Sequence, residues 1–186
     1  MGWTGKERRI LLSRLVREMS LRGLLCHAEA SGPWHHTTGY RFARVDRWLP
    51  GVELGSVSED EALRSLALSY LRAYGPASVG DFAYWTGMRA RDANPVFESI
   101  SESLSEVAVV GQRGRLLILE EDASALLDSA EGEVPARLLP QFDALIMGHK
   151  DKTRFIDLEA RSRIFLPRAD VAATMLVDGR VQGYGS

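Results

Sequence analysis

Ala62-Leu63-Arg64-Ser65-Leu66-Ala67-Leu68-Ser69-Tyr70-Leu71-Arg72 carries the clearest helical period in the chain. Leu63, Leu66, Ala67, Tyr70 and Leu71 recur at the three-and-four spacing of one helical face. Gly75-Pro76 stops that helix, because glycine tolerates a left-handed exit and proline cannot continue the ladder. Ser78 then caps a short second helix over Val79, Phe82, Ala83 and Trp85, which Thr86-Gly87 breaks. A third helix is predicted from Ala90 to Ser103, with Pro95 inside it implying a late start or a kink. Val107 to Val110 and Arg115 to Leu119 flank Gly111-Gln112-Arg113-Gly114 and read as a hairpin. Three helices closed by a two-stranded flap is a winged helix, a variant of the helix-turn-helix arrangement.

The 186 residues suffice for one or two domains with a real core. No apolar run approaches the roughly 20 residues that a membrane span needs. The first residues lack the charged-then-apolar pattern of an export signal, so a cytoplasmic location without membrane contact is expected. Cys26 is the single cysteine and sits in an apolar run, which predicts a buried thiol. The net charge of −2 hides an asymmetry: residues 1–50 carry +5, residues 51–134 carry −9 and residues 135–186 carry +2. A basic face for nucleic acid is therefore sought at the two ends of the chain rather than in its middle. There is no phosphate loop, dinucleotide fingerprint, nucleophile elbow or paired zinc knuckle, and no cofactor is expected.

Upstream, Lys6 to Arg22 reads as an amphipathic helix with Ile10, Leu11, Leu15, Val16 and Met19 as its apolar stripe. Its arginines, Arg9 and Arg17 among them, face either phosphates or solvent. Leu24 to Glu29 and Gly39 to Val45 read as paired strands around a loop, Ala30 to Thr38. That loop holds Trp34, His35 and His36; without further ligands at suitable spacing, no metal site is expected. Residues 1–55 thus form a partial winged helix, a helix plus a wing hairpin, and residues 56–122 a complete one. Trp48-Leu49-Pro50-Gly51 marks the junction, and Ser58 with Glu61 predicts a capping box.

In the complete module, Arg89 and Arg91 lead the third helix, the turn from which recognition helices touch DNA. Glu98, Glu102 and Glu106 follow and would repel a duplex, while Arg113 and Arg115 in the wing suit phosphates or the minor groove. DNA binding and a purely protein-packing use of the module both stay open. Glu120 to Ser129 predicts a surface helix, and residues 123–186 a small β-rich segment, giving an α+β fold. Within that segment Asp143, His149, Asp151 and Arg154 form a polar set: either an anion site or a network fixing a loop. Asp178-Gly179 between apolar runs predicts a closing hairpin.

Three segments carry a resemblance. They are Tyr70 to Ser78 leading to Trp85-Thr86-Gly87, Leu138 to Leu145 leading to His149 through Arg154, and Leu176 to Gly183. In order and spacing they resemble the bacterial winged-helix DNA-binding family that includes the AlkZ-like DNA glycosylases, which repair alkylated bases and interstrand crosslinks. The resemblance runs from about Arg8 to Gly183 and implies tandem winged helices followed by a β-rich part, curved around duplex DNA. It also implies that the N-terminal and C-terminal parts of the family are not covered. The family's catalytic Gln-apolar-Gln/Asp pattern belongs to that N-terminal winged helix. Gln141-Phe142-Asp143 spells it in a different segment and is taken as coincidence.

Three functions follow as expectations. The first is a DNA-binding protein or fragment that is not itself an enzyme, gripping double-stranded DNA. The second is a DNA glycosylase whose catalytic region lies outside this sequence. The third is a protein-interaction module, including a homodimer through wing or helix faces. Apolar surface left open where helices are missing should in each case find a cover.

Overall fold

The computed structural model describes residues 4–32, 40–112, 114–128 and 135–185. It is an α+β chain that divides into two compact units, Met1–Ser58 and Glu59–Ser186. No helix among the described residues is long and apolar enough to cross a membrane.

In the first unit, helix α1 (Gly5–Leu21) starts at a capping box. The Glu7 N–H donates to Thr4 Oγ1 at 3.3 Å and the Thr4 N–H returns the bond to Glu7 Oε2 at 2.7 Å. The helix ends at Arg22, and Gly23 takes the left-handed φ of 68° that turns the chain back. Strand β1 (Leu25–Ala30) pairs antiparallel with β2 (Tyr40–Arg44), with His27 opposite Phe42. A one-turn helix, α2 (Val45–Trp48), follows. Val45 is the one buried apolar residue among the described residues of this unit, and α1 has none. The expected apolar stripe is corrected here: Ile10, Leu11 and Leu15 stay about half exposed because one hairpin cannot cover a helix whose apolar positions spread around its circumference. Cys26 is half-buried rather than buried, for the same lack of a second layer. The expected loop with Trp34, His35 and His36 lies outside the described residues.

The second unit opens with α3 (Glu59–Tyr74), α4 (Val79–Thr86) and α5 (Ala90–Ser99). Ser78 caps α4 and Gly87 ends it with a left-handed φ of 77°. Ala67, Tyr70, Leu71, Phe82, Val96 and Phe97 interlock as the first core, with ring pairs such as Phe82–Phe97 at 5.3 Å edge to face. Helix α5 ends at Ser99, four residues earlier than expected, and a 3-10 turn over Ser101–Ser103 leads into β3 (Leu104–Val107). Strand β3 pairs with β4 (Leu116–Leu119), Leu104 opposite Leu119 and Val107 opposite Leu116. The expected pairing of Val107 to Val110 is thus displaced toward the N-terminus. Register follows the buried face, and only this one brings Leu104 onto the core while Val110 stands fully in solvent. Ala77 adds a one-residue third strand, exchanging N–H to carbonyl bonds of 2.9 Å with Leu117.

Helix α6 (Glu120–Asp128) follows directly. Strand β5 (Arg137–Leu139) then leads to the short helices α7 (Ala144–Met147) and α8 (Arg161–Ile164). Strand β6 (Phe165–Leu166) pairs with β7 (Asp170–Val171). Strands β8 (Ala173–Val177) and β9 (Arg180–Gly185) complete a three-stranded sheet in the order β5-β8-β9. Asp178 and Gly179 both have positive φ, 50° and 73°, the geometry of a two-residue hairpin turn that matches strand twist. Ile146, Ile156, Ile164, Leu176 and Val181 form a second core. Residues 59–186 make one compact unit, so the boundary expected at residue 122 falls inside it.

Candidate nucleic-acid interface

The buried polar groups of the second unit meet at the start of α4. Asp81, which the residue pattern did not single out, is 4% exposed. Its Oδ2 accepts from the Ser78 N–H at 2.9 Å and the Ser78 hydroxyl at 2.6 Å. Its Oδ1 accepts from the backbone N–H of Lys150 at 2.7 Å and of Asp151 at 3.3 Å. Burial by itself would raise the carboxyl, but Ser78 and the two backbone donors outweigh it and hold Asp81 below the usual carboxylate range. The spacing Ser78-x-x-Asp81 is a capping box and so was legible as a helix start. Its second role, receiving a loop nearly seventy residues away, has no local signature.

His149 is 2% exposed and its Nε2 lies 2.9 Å from the Tyr74 carbonyl, which assigns the N–H to that nitrogen. Burial, reinforced by the Arg154 charge, pulls its pKa below the ordinary histidine value. Arg154 donates to the Pro76 carbonyl at 2.7 Å, and the Tyr70 hydroxyl donates to the Gly148 carbonyl at 2.8 Å. Lys152, also not foreseen, is 4% exposed. Its ammonium donates to the carbonyls of Met147 and His149 and lies over the rings of Tyr84, at 4.8 Å, and Phe165, at 5.2 Å. Burial, with the Arg161 charge, brings its amine down to about 8.

The other two members of the expected polar set serve their own turns. Asp143 accepts from the Leu145 N–H at 2.9 Å as the cap of α7. Asp151 accepts from the Thr153 N–H at 2.9 Å and its hydroxyl at 2.7 Å. Among the described residues His149 Nε2 donates to the Tyr74 carbonyl and one Arg154 nitrogen to the Pro76 carbonyl, while the buried His149 Nδ1 and Arg154 Nε have no hydrogen-bond partner, and the two carboxylates accept within local caps. This arrangement packs the loop 148–155 against the first core. Phe142, with a positive φ of 58°, and Asp143, used as a cap, likewise give Gln141-Phe142-Asp143 a turn-forming role.

The expected DNA-contacting arginines fall into two groups. Arg89 and Arg91 stand at the start of α5, but Arg89 pairs with Asp92 at 2.7 Å and Arg91 with the same carboxylate at 3.6 Å. Arg115 pairs with Glu106 at 2.8 Å, and Glu106 lies on β3 rather than on the helix expected to carry it. The side chains of these three arginines remain about 70% exposed, so each pair is worth at most about 1 kcal/mol and a phosphate can compete for it. A cleft of about 570 Å³ is lined by Arg115 together with Glu98 and Glu106, so carboxylates outnumber the cation and disfavour an anion there. Arg113 lies outside the described residues. Helix α1 differs: Lys6, Arg8, Arg9, Arg14 and Arg17 face only Glu7 and Glu18 within it. None of those four arginines has a carboxylate partner among the described residues, while Glu18 pairs with Arg22 at 2.8 Å.

The sequence matches the family described as DNA glycosylase AlkZ-like over residues 3–184. A curated relative, an interstrand DNA cross-link repair glycosylase of Streptomyces sahachiroi, is 28% identical over 178 residues, covering 91% of this chain and 44% of its own. The solved structure of the S. sahachiroi DNA glycosylase AlkZ superposes with a TM-score of 0.77 at 27% identity, over 96% of this chain and 47% of that one. The chain thus spans about half the length of these relatives. With the match running through both units, the chain belongs to the AlkZ-like DNA glycosylase family.

Proposed function

We propose that this chain is the duplex-binding part of a DNA repair glycosylase, built from winged-helix modules and lacking the residues that break the glycosidic bond. The observation that carries the reading is a set of α1 arginines with no carboxylate partner among the described residues, against ion-paired Arg89, Arg91 and Arg115. Charge on a helix that no carboxylate neutralises is available to displace counterions from phosphates. Membership of the family supplies the substrate class, since the relatives are named as DNA glycosylases. Arg9 and Arg17 on α1 make the principal contacts. Arg89 and Arg91 contribute after exchanging Asp92 for a phosphate, and Arg115 after exchanging Glu106. Base excision by this chain alone is disfavoured, because Asp143 already serves as a cap and base removal needs a positioned carboxylate or amide with a water.

The test is a salt titration of binding to a short duplex followed by fluorescence anisotropy. Each phosphate contact contributes about −0.9 to the slope of log affinity against log salt. Arg9→Ala with Arg17→Ala should flatten that slope by about two contacts. Arg113→Ala with Arg115→Ala should flatten it less, and Arg89→Ala with Arg91→Ala least. An affinity that is constant between low and moderate salt would remove the proposal. Release of free base from alkylated duplex by this chain alone would replace it with the catalytic reading.

A further inference from the structure

The first unit offers a groove between α1 and the β1–β2 hairpin of about 830 Å³. Leu12, Val16, Leu21 and Phe42 line it, and Leu12 and Leu21 are 61% and 73% exposed, well above what a finished core leaves open. Arg9 and Arg17 stand on its rim. Their separation of eight positions places them about 12 Å apart along the helix. Beside it the Ser20 hydroxyl is buried without a hydrogen-bond partner among the described residues.

The second unit shows what such a surface accepts. There the same order of elements, a helix followed by a hairpin, is completed by α3 and α4, which pack on α5 and share one core with Ala93, Val96 and Phe97. Helix α3 is amphipathic, with Ala67, Tyr70 and Leu71 buried and Glu59, Asp60 and Glu61 in its first turn. Helix α1 carries five cations against two carboxylates, so the complement of its open face is apolar along the centre and acidic at the sides. We propose that this groove is a docking site for an amphipathic α-helix with an aliphatic stripe and flanking carboxylates seven or eight residues apart. The stripe packs on Leu12, Val16 and Phe42, and the carboxylates take Arg9 and Arg17. Arg9 and Arg17 are also the proposed phosphate contacts, so helix docking and DNA contact compete for the same face of α1. The assignment rests on the groove and its charge, independently of the nucleic-acid reading.

Two fluorescein-labelled 18-residue peptides test it against the intact chain by anisotropy. Both have leucines at helical spacing, one with glutamates seven residues apart on its flanks and the other with lysines there. The glutamate peptide should bind at least tenfold more tightly at low salt. Arg9→Glu with Arg17→Glu should reverse the order. Leu12→Asp should weaken the glutamate peptide at least tenfold with an unchanged circular dichroism spectrum and unfolding midpoint, because Leu12 is already solvent-facing. Equal binding of both peptides, no binding of either, or indifference to Leu12→Asp overturns the proposal. So does self-association in sedimentation that Leu12→Asp abolishes, which would make a second copy the occupant. Loss of duplex binding with peptide binding intact leaves this proposal standing and removes only the DNA reading.

Discussion

Two helix–hairpin units occur in this chain, and they differ in what closes them. Helix α5 and strands β3–β4 sit under α3 and α4, and Ala93, Val96, Phe97 and all four residues of β4 are buried. Helix α1 and strands β1–β2 have the same order and a comparable hairpin, yet α1 contains no buried residue. A helix and a hairpin together do not enclose a core; the helices that pack on them do. The second unit also holds buried ionic groups, Asp81 and Lys152 among them, whereas the cations of α1 all face water.

Truncating one apolar side chain in each unit tests this difference most severely. Phe97→Ala should cost about 3–5 kcal/mol and Leu15→Ala within about 0.5 kcal/mol, measured by urea unfolding with residue-resolved hydrogen exchange. Similar costs would show that the first unit is closed in solution.

Asp81→Asn should cost about 2–3 kcal/mol through the loss of charged hydrogen bonds, with no equivalent site in the first unit. The sign of its pH dependence follows from its lowered pKa. The stability it contributes is whole above the ordinary carboxylate value of about 3.9 and is lost as pH falls through the folded value. His149, also lowered, contributes fully above about 6.5 and begins to lose stability below it, because the unfolded chain takes up the proton first. Acid unfolding of the second unit should therefore show two stages, and Asp81→Asn should remove only the lower one.

Lys152 acts on the alkaline side. With its folded value near 8 and the ordinary value 10.5, the unfolded chain holds more protons in between. Stability should thus rise as pH climbs through that window, by about 2 kcal/mol, and Lys152→Met should flatten that rise. A curve identical in the variant would show that the amine is solvated. A small effect is expected for Arg115→Ala, whose exposed pair with Glu106 is worth under about 1 kcal/mol in thermal unfolding.

Much of the architecture was legible because it is written locally. Helical spacing at Leu63 to Leu71, the Ser78 cap, the Gly87 stop and the Asp178-Gly179 turn each act over a few residues, and each sits where expected. The wing register was not, because Leu104 and Val110 are both apolar and only the core decides between them. For the same reason proximity in sequence groups the polar set wrongly: Asp143 and Asp151 serve their own loops, while the partners of loop 149–154, namely Asp81, Tyr74 and Pro76, lie some seventy residues earlier. The arginines were visible as residues, but their pairing with Asp92 and Glu106 depends on rotamers and strand register that no spacing rule encodes.

The fastening of Lys150 and Asp151 to the Asp81 carboxylate also governs how the molecule can be divided. A cut after residue 122 would strand a desolvated anion with half its donors removed and uncover the Tyr70 hydroxyl at the same stroke. Within residues 59–186 the helices before residue 122 and the loop after it therefore share one desolvated anion and stand or fall together.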